Sequence, residues 1–287
     1  MSKLMTLNEA VRFINDGDTV AIGGMLLQQV PMALIRGIVR KGVKNLNLKA
    51  TAQGIGADLL IGADCVKSIE FAFISFELYG FAHNFKRAAE EGRIELKEAA
   101  CYALISGFRA GAWGLPFLPI RGLFGTDILK VREEFKVIED PFDGEKLVLI
   151  PAIKPNVAII HAHRADLLGN AQIEGSSWDD LIAKASEKVI VTTEEIVSTE
   201  EIKRNPEKTK IPHFLVNAVV KVSYGAHPTG CQSLYDHDEE HIKKYIEASK
   251  DSTKFQEYLN EFVFHPKTHE EYLELIGGIE KISKLRW

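Results

Sequence analysis

The sequence predicts an α/β fold: an open, mostly parallel sheet flanked by helices, with a helical C-terminal tail. Three observations lead there. Strand-like and helix-like runs alternate from Thr6 to Thr192, the order expected of parallel strands joined by crossover helices. Strand-like runs such as TVAIGG at residues 19–24 are apolar throughout, as strands covered on both faces are. From Asp236 the pattern turns charged and helical.

The elements follow in order. Thr6 and Glu9 fit a capping box, each side chain satisfying a free backbone N–H. Leu7, Ala10, Val11 and Ile14 then recur at helical spacing on one face, and Asp16-Gly17 stops the helix. Residues 19–24 are the first strand. A second helix opens near Pro31, a good first-turn residue, and ends at Gly42. Residues 47–51 are the next strand, and Gln53-Gly54-Ile55-Gly56 turns out of it. Strand 68–75, helix 84–91, strand 93–98 and helix 102–112 continue the alternation, closed by Gly114-Leu115-Pro116. Residues 127–146 are highly charged and hold Pro141 and Gly144, so they read as a surface excursion. Apolar runs follow at 147–150 and 157–162. Ser177 caps a helix reaching about residue 187, and 188–192 is a further strand. No internal repeat or low-complexity linker interrupts the chain. The expected organisation is one α/β domain over residues 1–235, with a helical extension over 236–287 packed on it as two or three helices.

Composition narrows the function classes. The 287 residues include 35 Lys and Arg against 40 Asp and Glu, a net charge of −5 that suits nucleic acid poorly. Hydrophobic residues make up 46%, enough for an ordinary core. Cys65, Cys101 and Cys231 form neither a disulfide framework nor a Cys-based zinc site, and they fit a reducing compartment. The N-terminus lacks an apolar core of signal-peptide length, and no run reaches the roughly 18 apolar residues that span a bilayer. The expectation is a soluble cytoplasmic protein without a membrane or nucleic-acid partner.

Three motifs offer chemistry. Gly23-Gly24 ends a buried strand and precedes a helix N-terminus, where backbone can approach a ligand and N–H groups stand free. The bland alternative is a tight turn. Neither this segment nor Gln53-Gly54-Ile55-Gly56 has the G-x-G-x-x-G spacing of a dinucleotide site, and no P-loop is present. His237 to His241 (HDEEH) matches the H-x-x-E-H pattern of one metallopeptidase class, with Glu240 as base and Glu257 or Glu261 as third ligand. Its surroundings read instead as the solvated face of a charged tail helix. His161-Ala162-His163 reads as one side chain on each face of a strand end. Glu77 follows an apolar strand, where a carboxylate is placed to attack, to bind or merely to cap a helix. No G-x-S-x-G elbow and no recognisable nucleophilic Cys accompany it.

These segments fall into a known order. VAIGGM at 20–25 with VPMALI at 30–35 resembles the glycine-rich start of the alpha-type half of family I coenzyme A transferases. Val66-Lys67, then Phe76-Glu77 and Phe85, is similar to the segment carrying SYVGEN in the 3-oxoacid branch. GAWGLPFLPIR at 111–121 resembles the glutaconate branch, as does the long helical tail. PNVAIIHAHRAD at 155–166 with Gly169-Asn170 resembles the family's PDVAxIHA…AD…GN stretch. The resemblance spans about residues 5 to 230.

The resemblance implies an alpha subunit of a CoA-transferase that moves CoA between an acyl-CoA and a small carboxylic acid. It implies a beta subunit in an A2B2 assembly, and that subunit supplies the nucleophilic glutamate. This chain then holds no catalytic residue, no metal and no permanently bound cofactor; the coenzyme A thioester is a substrate. Backbone N–H groups near Gly23, Gly24, Gln53 and Gly54, with Ser75 and Arg121, are the expected donors for the substrate acid. Gln28 and Gln29 face the partner's glutamate, and Glu77 is structural or pocket-lining. Some relatives hydrolyse carbon–carbon bonds of ring-derived CoA thioesters with a carboxylate that falls here at Cys101, which weighs against the hydrolase reading. A hydrolase subunit and a non-catalytic binding subunit are the alternatives.

Overall fold

The computed structural model describes residues 2–175 and 178–285. Its main sheet begins with β1 (Thr19–Ile22), β2 (Leu46–Gln53), β3 (Val66–Ile74) and β4 (Glu95–Glu98). A small antiparallel sheet of β5 (Phe117–Ile120), β6 (Lys136–Glu139) and β7 (Lys146–Pro151) follows. The chain then returns to the main sheet as β8 (Val157–Ala165), β9 (Ala171–Gln172), β10 (Lys188–Ile196), β11 (Thr209–Ile211) and β12 (Ala218–Lys221). The parallel strands lie in the order β12-β10-β8-β1-β2-β3-β4, and β9 and β11 add a short antiparallel edge at the end of β8.

The order reverses between β1 and β8. The chain runs outward from β1 to β4, comes back to lay β8 beside β1, and runs outward again to β12. Val20, Ala21 and Ile22 pair in register with Val157, Ala158 and Ile159. In open α/β sheets such a reversal opens a crevice at the carboxyl ends of its two strands.

Alternate residues of the central strands feed two cores. Val20, Ile22, Val157, Ile159 and Ile190 pack on one face; Ala21, Ala158, Ile160, Val189 and Val191 pack on the other. Helices Met32–Lys41 and Ile55–Gly62 cover the first face, and Cys101–Ala112 with Asp179–Ala185 cover the second.

The local signals behave as their chemistry demands. The Thr6–Glu9 capping box is present at helix Leu7–Val11. Helix Met32–Lys41 ends at Gly42, whose φ of +73° is the left-handed value that glycine adopts without strain. Other readings need correction. Gly54 leads directly into helix Ile55–Gly62, because the apolar run IGADLLIG is buried on all sides and shows no period to read. The charged stretch 127–146 holds helix Ile128–Val131 and strand β6, which survives on its hydrogen bonds to β7. Ser177 lies outside the described residues; the helix after it is Asp179–Ala185. The tail holds four α-helices among the described residues, Glu239–Ser249, Ser252–Leu259, His269–Leu275 and Gly278–Ile282, not two or three. No helix among the described residues is long and apolar enough to cross a membrane.

The tail is bound to the first face by buried polar contacts. The Tyr245 hydroxyl donates to Asp58 Oδ2 at 2.7 Å, beside the Asn84 amide at 3.0 Å, and the Phe85 N–H donates to Oδ1 at 2.7 Å. Arg36 donates to the His227 carbonyl at 2.9 Å and stacks 3.6 Å over the Tyr272 ring.

Asp58 is fully buried, and burial pushes its carboxyl up to about 6 against the pull of those three donors. Its pKa is therefore higher folded than unfolded. The native state binds the extra proton, so this contribution is full below about pH 4 and is lost as pH rises through 6. Asp58→Asn removes the titration. The stability difference between wild type and D58N, measured by urea unfolding, should shift against wild type by up to about 3 kcal/mol between pH 4 and pH 7. A difference that stays flat with pH refutes the assignment.

Candidate active site

The crevice is built where β1 ends. The Gly23 N–H still bonds to the Ile159 carbonyl of β8 at 2.8 Å, and then the chain leaves the sheet. The Gly24 N–H donates to Asp179 Oδ1 at 2.9 Å, and the buried Gln53 amide donates to the Gly23 and Gly24 carbonyls, both at 3.2 Å. Both glycines are required. A Cβ on Gly23 would lie 2.7 Å from Asp179 Oδ1; one on Gly24, at φ +72°, would lie 2.5 Å from the Gln29 carbonyl oxygen.

A tight turn follows. Met25 and Gln28 exchange two backbone hydrogen bonds of 2.9 and 2.8 Å. A second segment clamps it, with Gln29 N–H donating to the Gly230 carbonyl at 2.7 Å and Gly230 N–H to the Leu27 carbonyl at 2.8 Å. Leu26 and Gln29 are held at φ +53° and +54°, and Glu77 across the gap at φ +54°. Three non-glycine residues in the left-handed region around one opening mark strain that the surroundings maintain.

The opening is a cleft of about 400 Å³. Met25, Leu26, Leu27 and Leu78 make its apolar wall; Gln28, Glu77, Tyr79, Asp236 and His237 make its polar one. Buried without any protein partner are Gln28 Oε1 and Gln53 Oε1, on either side of the turn. Unsatisfied acceptors of this kind are costly, and they favour a rearrangement when something binds.

Behind the turn stands a hydrogen-bonded hub. Glu194 on β10 accepts from His161 Nε2 at 2.7 Å, the Tyr235 hydroxyl at 2.6 Å, Gly225 N–H at 3.1 Å and Tyr224 N–H at 2.5 Å. Burial raises its pKa, yet His161, Tyr235 and the N–H groups outweigh that and hold the carboxyl below its usual value. These bonds fix the segment that carries Gly230. His163 accepts at Nδ1 from Glu174 N–H at 3.2 Å and contacts the Gln232 carbonyl through Nε2 at 2.7 Å, which assigns a neutral ring protonated at Nε2. Burial lowers its pKa. His161 and His163 point to the same side, not one to each face, because alternate strand residues share a face.

His161, Glu194 and Cys231 bring ligand atoms within 4.8 Å of one another. The direct 2.7 Å contact of His161 with Glu194 leaves room for a hydrogen rather than an ion, and burial pushes the Cys231 thiol up. The H-x-x-E-H pattern also dissolves. His237 precedes the helix and contacts Asp236 and Tyr79. His241 is buried against Tyr258 at 2.8 Å, with its pKa driven well down by burial, so that stretch is not a solvated face.

The structure brings together Gly23, Gly24, Gln28, Gln53, Gly54, Ser75 and Glu77. It does not bring Arg121, which pairs with Asp143 at 2.9 Å and Glu145 at 2.8 Å on the small sheet. Several of the expected donors are also occupied. The Gly23 and Gly24 N–H groups are bonded internally, and Ser75 Oγ donates to the Gly80 carbonyl at 3.0 Å while accepting from Glu77 N–H at 3.1 Å. Cys101 is an exposed first residue of its helix. Sequence reasoning missed Tyr79, Asp236, Glu194 and Tyr235. An aromatic-histidine contact between residues 158 positions apart leaves no local signal.

Residues 4–222 match the family model for coenzyme A transferase. A glutaconate CoA-transferase chain of Acidaminococcus fermentans is 36% identical over 99% of this chain and 94% of its own length. The crystal structure of glutaconate coenzyme A-transferase from that organism superposes with a TM-score of 0.95 at 35% identity, covering 100% of this chain and 96% of that one. A variant of the decarboxylase AibA/AibB superposes at 0.81 with 32% identity, covering 91% of this chain and 100% of that one. An uncharacterized protein of Archaeoglobus fulgidus is 42% identical over 99% of this chain, which spans only 64% of that relative's length.

Removing the hub carboxylate tests its weight. Glu194→Ala leaves His161 Nε2 without its hydrogen-bond partner and frees the segment at Tyr224 and Gly225. Stability should fall by about 3–5 kcal/mol in chemical denaturation, whereas Tyr235→Phe, which removes one neutral donor, should lose about 1 kcal/mol. Equal small losses would show that Glu194 is peripheral.

Proposed function

The chain belongs to the coenzyme A transferase family, and from that premise we propose that it is the alpha subunit of an enzyme moving CoA between an acyl-CoA and a carboxylic acid. A beta subunit is its partner, in an A2B2 assembly, and the coenzyme A thioester is the substrate. The cytoplasm is the proposed location.

The observation that carries the reading is a crevice at the strand-order reversal that is built like a binding site, with Glu77 its exposed carboxylate and the deeper acids engaged internally. Glu194 is consumed by four donors, Gly24 holds Asp179, and the Cys231 thiol is buried with a raised pKa. Glu77 is exposed at the rim on a strained turn. Glu77 is read as lining the pocket, and the reactive carboxylate is assigned to the partner.

The proposed chemistry divides one exchange into easier steps. The partner's glutamate attacks the acyl-CoA carbonyl and the CoA thiolate leaves, giving an acyl-glutamyl anhydride. The thiolate attacks the glutamyl carbonyl and releases the acid, leaving a glutamyl-CoA thioester. The acceptor carboxylate reverses the sequence. This chain's share is to fix the turn at Gly23–Gln29 and to wall the cleft, so that reacting groups meet in a fixed geometry.

A cholesterol ring-cleaving hydrolase subunit of Rhodococcus jostii, 32% identical over 90% of this chain, supports a second reading, a hydrolase subunit that needs no acceptor acid. Purified chain alone should transfer no CoA, and transfer should appear when the beta subunit is added. Borohydride with acyl-CoA should inactivate the complex by reducing the glutamyl-CoA thioester. Transfer by the isolated chain would sink the proposal, and thioester loss without any acceptor acid would replace it with the second reading.

A further inference from the structure

We infer that the free edge of β6 is a docking surface for a second copy of this chain, the two strands pairing antiparallel across a two-fold axis at Ile138. The inference is independent of the coenzyme A reading. Two hydrogen bonds that prolong the small sheet set the backbone directions. The Asp140 N–H donates to the Glu145 carbonyl at 2.7 Å, and the Ala152 N–H to the Pro116 carbonyl at 3.0 Å. With Ile138 opposite Leu147 and Leu118 opposite Ile150, odd residues of β7 bond to β6 and even ones to β5. Lys136, Ile138 and Asp140 therefore bond inward to β7, whereas Val137 and Glu139 turn their N–H and C=O groups away from it. The two edges of the small sheet then differ. On β5 the outward positions are Phe117 and Pro119, and Pro119 has no N–H to offer. On β6 both outward positions carry a donor and an acceptor. The whole strand is exposed, Val137 by 49% and Ile138 by 38%.

The side chains choose the occupant. Charge on an exposed edge normally discourages pairing, but these charges complement themselves. In an antiparallel pair, opposite residues both bond to the neighbour or both bond away from it, so a two-fold pairing of β6 with itself must be centred on a residue. Centred on Glu139, it sets like charges directly opposite; centred on Val137, it sets Lys136 against an isoleucine. Centred on Ile138, it sets Lys136 opposite the copy's Asp140 and Asp140 opposite the copy's Lys136, with Ile138 meeting Ile138 on the axis. These are the closely spaced positions of the ladder, where side chains touch most. Val137 and Glu139 then exchange backbone hydrogen bonds with the copy's Glu139 and Val137. Both charged groups have capacity for this. Lys136 Nζ reaches the Glu133 carbonyl at 2.7 Å, and Asp140 Oδ1 accepts from the Phe142 N–H at 2.9 Å, leaving Oδ2 for the copy's lysine. Ile138 also continues a row through Leu147, Leu149 and Pro119 across β7 and β5, and the axis doubles that row. The cleft at the Met25–Gln28 turn is lined by no residue of the small sheet, so this contact does not compete for it.

Sedimentation equilibrium of the purified full chain should show a concentration-dependent dimer. Lys136→Asp and Asp140→Lys should each weaken it roughly tenfold, because two favourable charge pairs become repulsive. Mixed together, K136D and D140K should regain wild-type affinity as a heterodimer, since every facing pair is again of opposite sign; a variant that had merely misfolded would not be rescued. Glu139→Pro removes an outward N–H and no bond to β7, so it should also weaken the dimer roughly tenfold while the circular dichroism spectrum is kept. A monomer at every concentration overturns the inference, as does a dimer that these variants leave intact or one that mixing fails to restore. Loss of beta-subunit binding in K136D, with the dimer of the chain alone unchanged, would assign the edge to the beta subunit and overturn it too.

Discussion

The pairing of β1 with β8 is the constraint on which the rest depends. It joins strands more than 130 residues apart in sequence, Val20 with Val157 and Ile22 with Ile159. Because β1 is short, it ends while β8 continues to Ala165, and the freed Ile159 carbonyl takes the Gly23 N–H. The backbone must then turn sharply beside a neighbouring strand that is still running. Only glycine fits at the two positions where Asp179 and the Gln29 carbonyl come within 3 Å. The strain at Leu26 and Gln29 follows from the same geometry, since a four-residue turn has to be closed and then held.

Two buried carboxylates hold the surroundings of that turn by opposite means. Glu194 is ionised, because four donors outweigh its desolvation, and it ties the Gly230 segment to the sheet. Asp58 has three donors and a pKa raised by burial, and it ties helix Glu239–Ser249 to the helices after β2 and β3. The first fixes the Gly230 segment that clamps the turn; the second fixes the helix that begins two residues after His237. Both act through the chain that leads from β12 into the tail, so the tail belongs to the architecture of the site.

Much of the fold was legible because its signals are local. A capping box, a helix-ending glycine and apolar runs each act within a few residues, and strand–helix alternation follows from their sequence. The small sheet was not legible. β6 (KVIE) is exposed along its length and exists through its pairing with β7, which the charged surroundings conceal. His241 misled for a related reason. The residues beside it, Glu239, Glu240, Lys243 and Lys244, are exposed, while His241 falls on the one stripe of that helix facing Tyr258 and Phe262. In the candidate site the glycines and glutamines were readable from their strand-end position. Arg121 was not, since a guanidinium near a motif gives no hint that Asp143 and Glu145 will claim it.

The loss of those donors bears on how the proposed reaction must be shared. Attack of a carboxylate on a thioester builds negative charge on the carbonyl oxygen, and that charge needs donors placed before it develops. In this chain the Gly23 and Gly24 N–H groups, Ser75 and Arg121 all have internal partners. Opening those bonds to serve a substrate would uncover the Ile159 carbonyl and a buried Asp179 oxygen, each a penalty of order 1–3 kcal/mol. It is cheaper for the donors to sit on the other side of the crevice. Under the proposed reaction, then, the partner carries the nucleophile and most of the groups that stabilise its transition state, and this chain supplies a rigid, partly apolar wall held in place from behind.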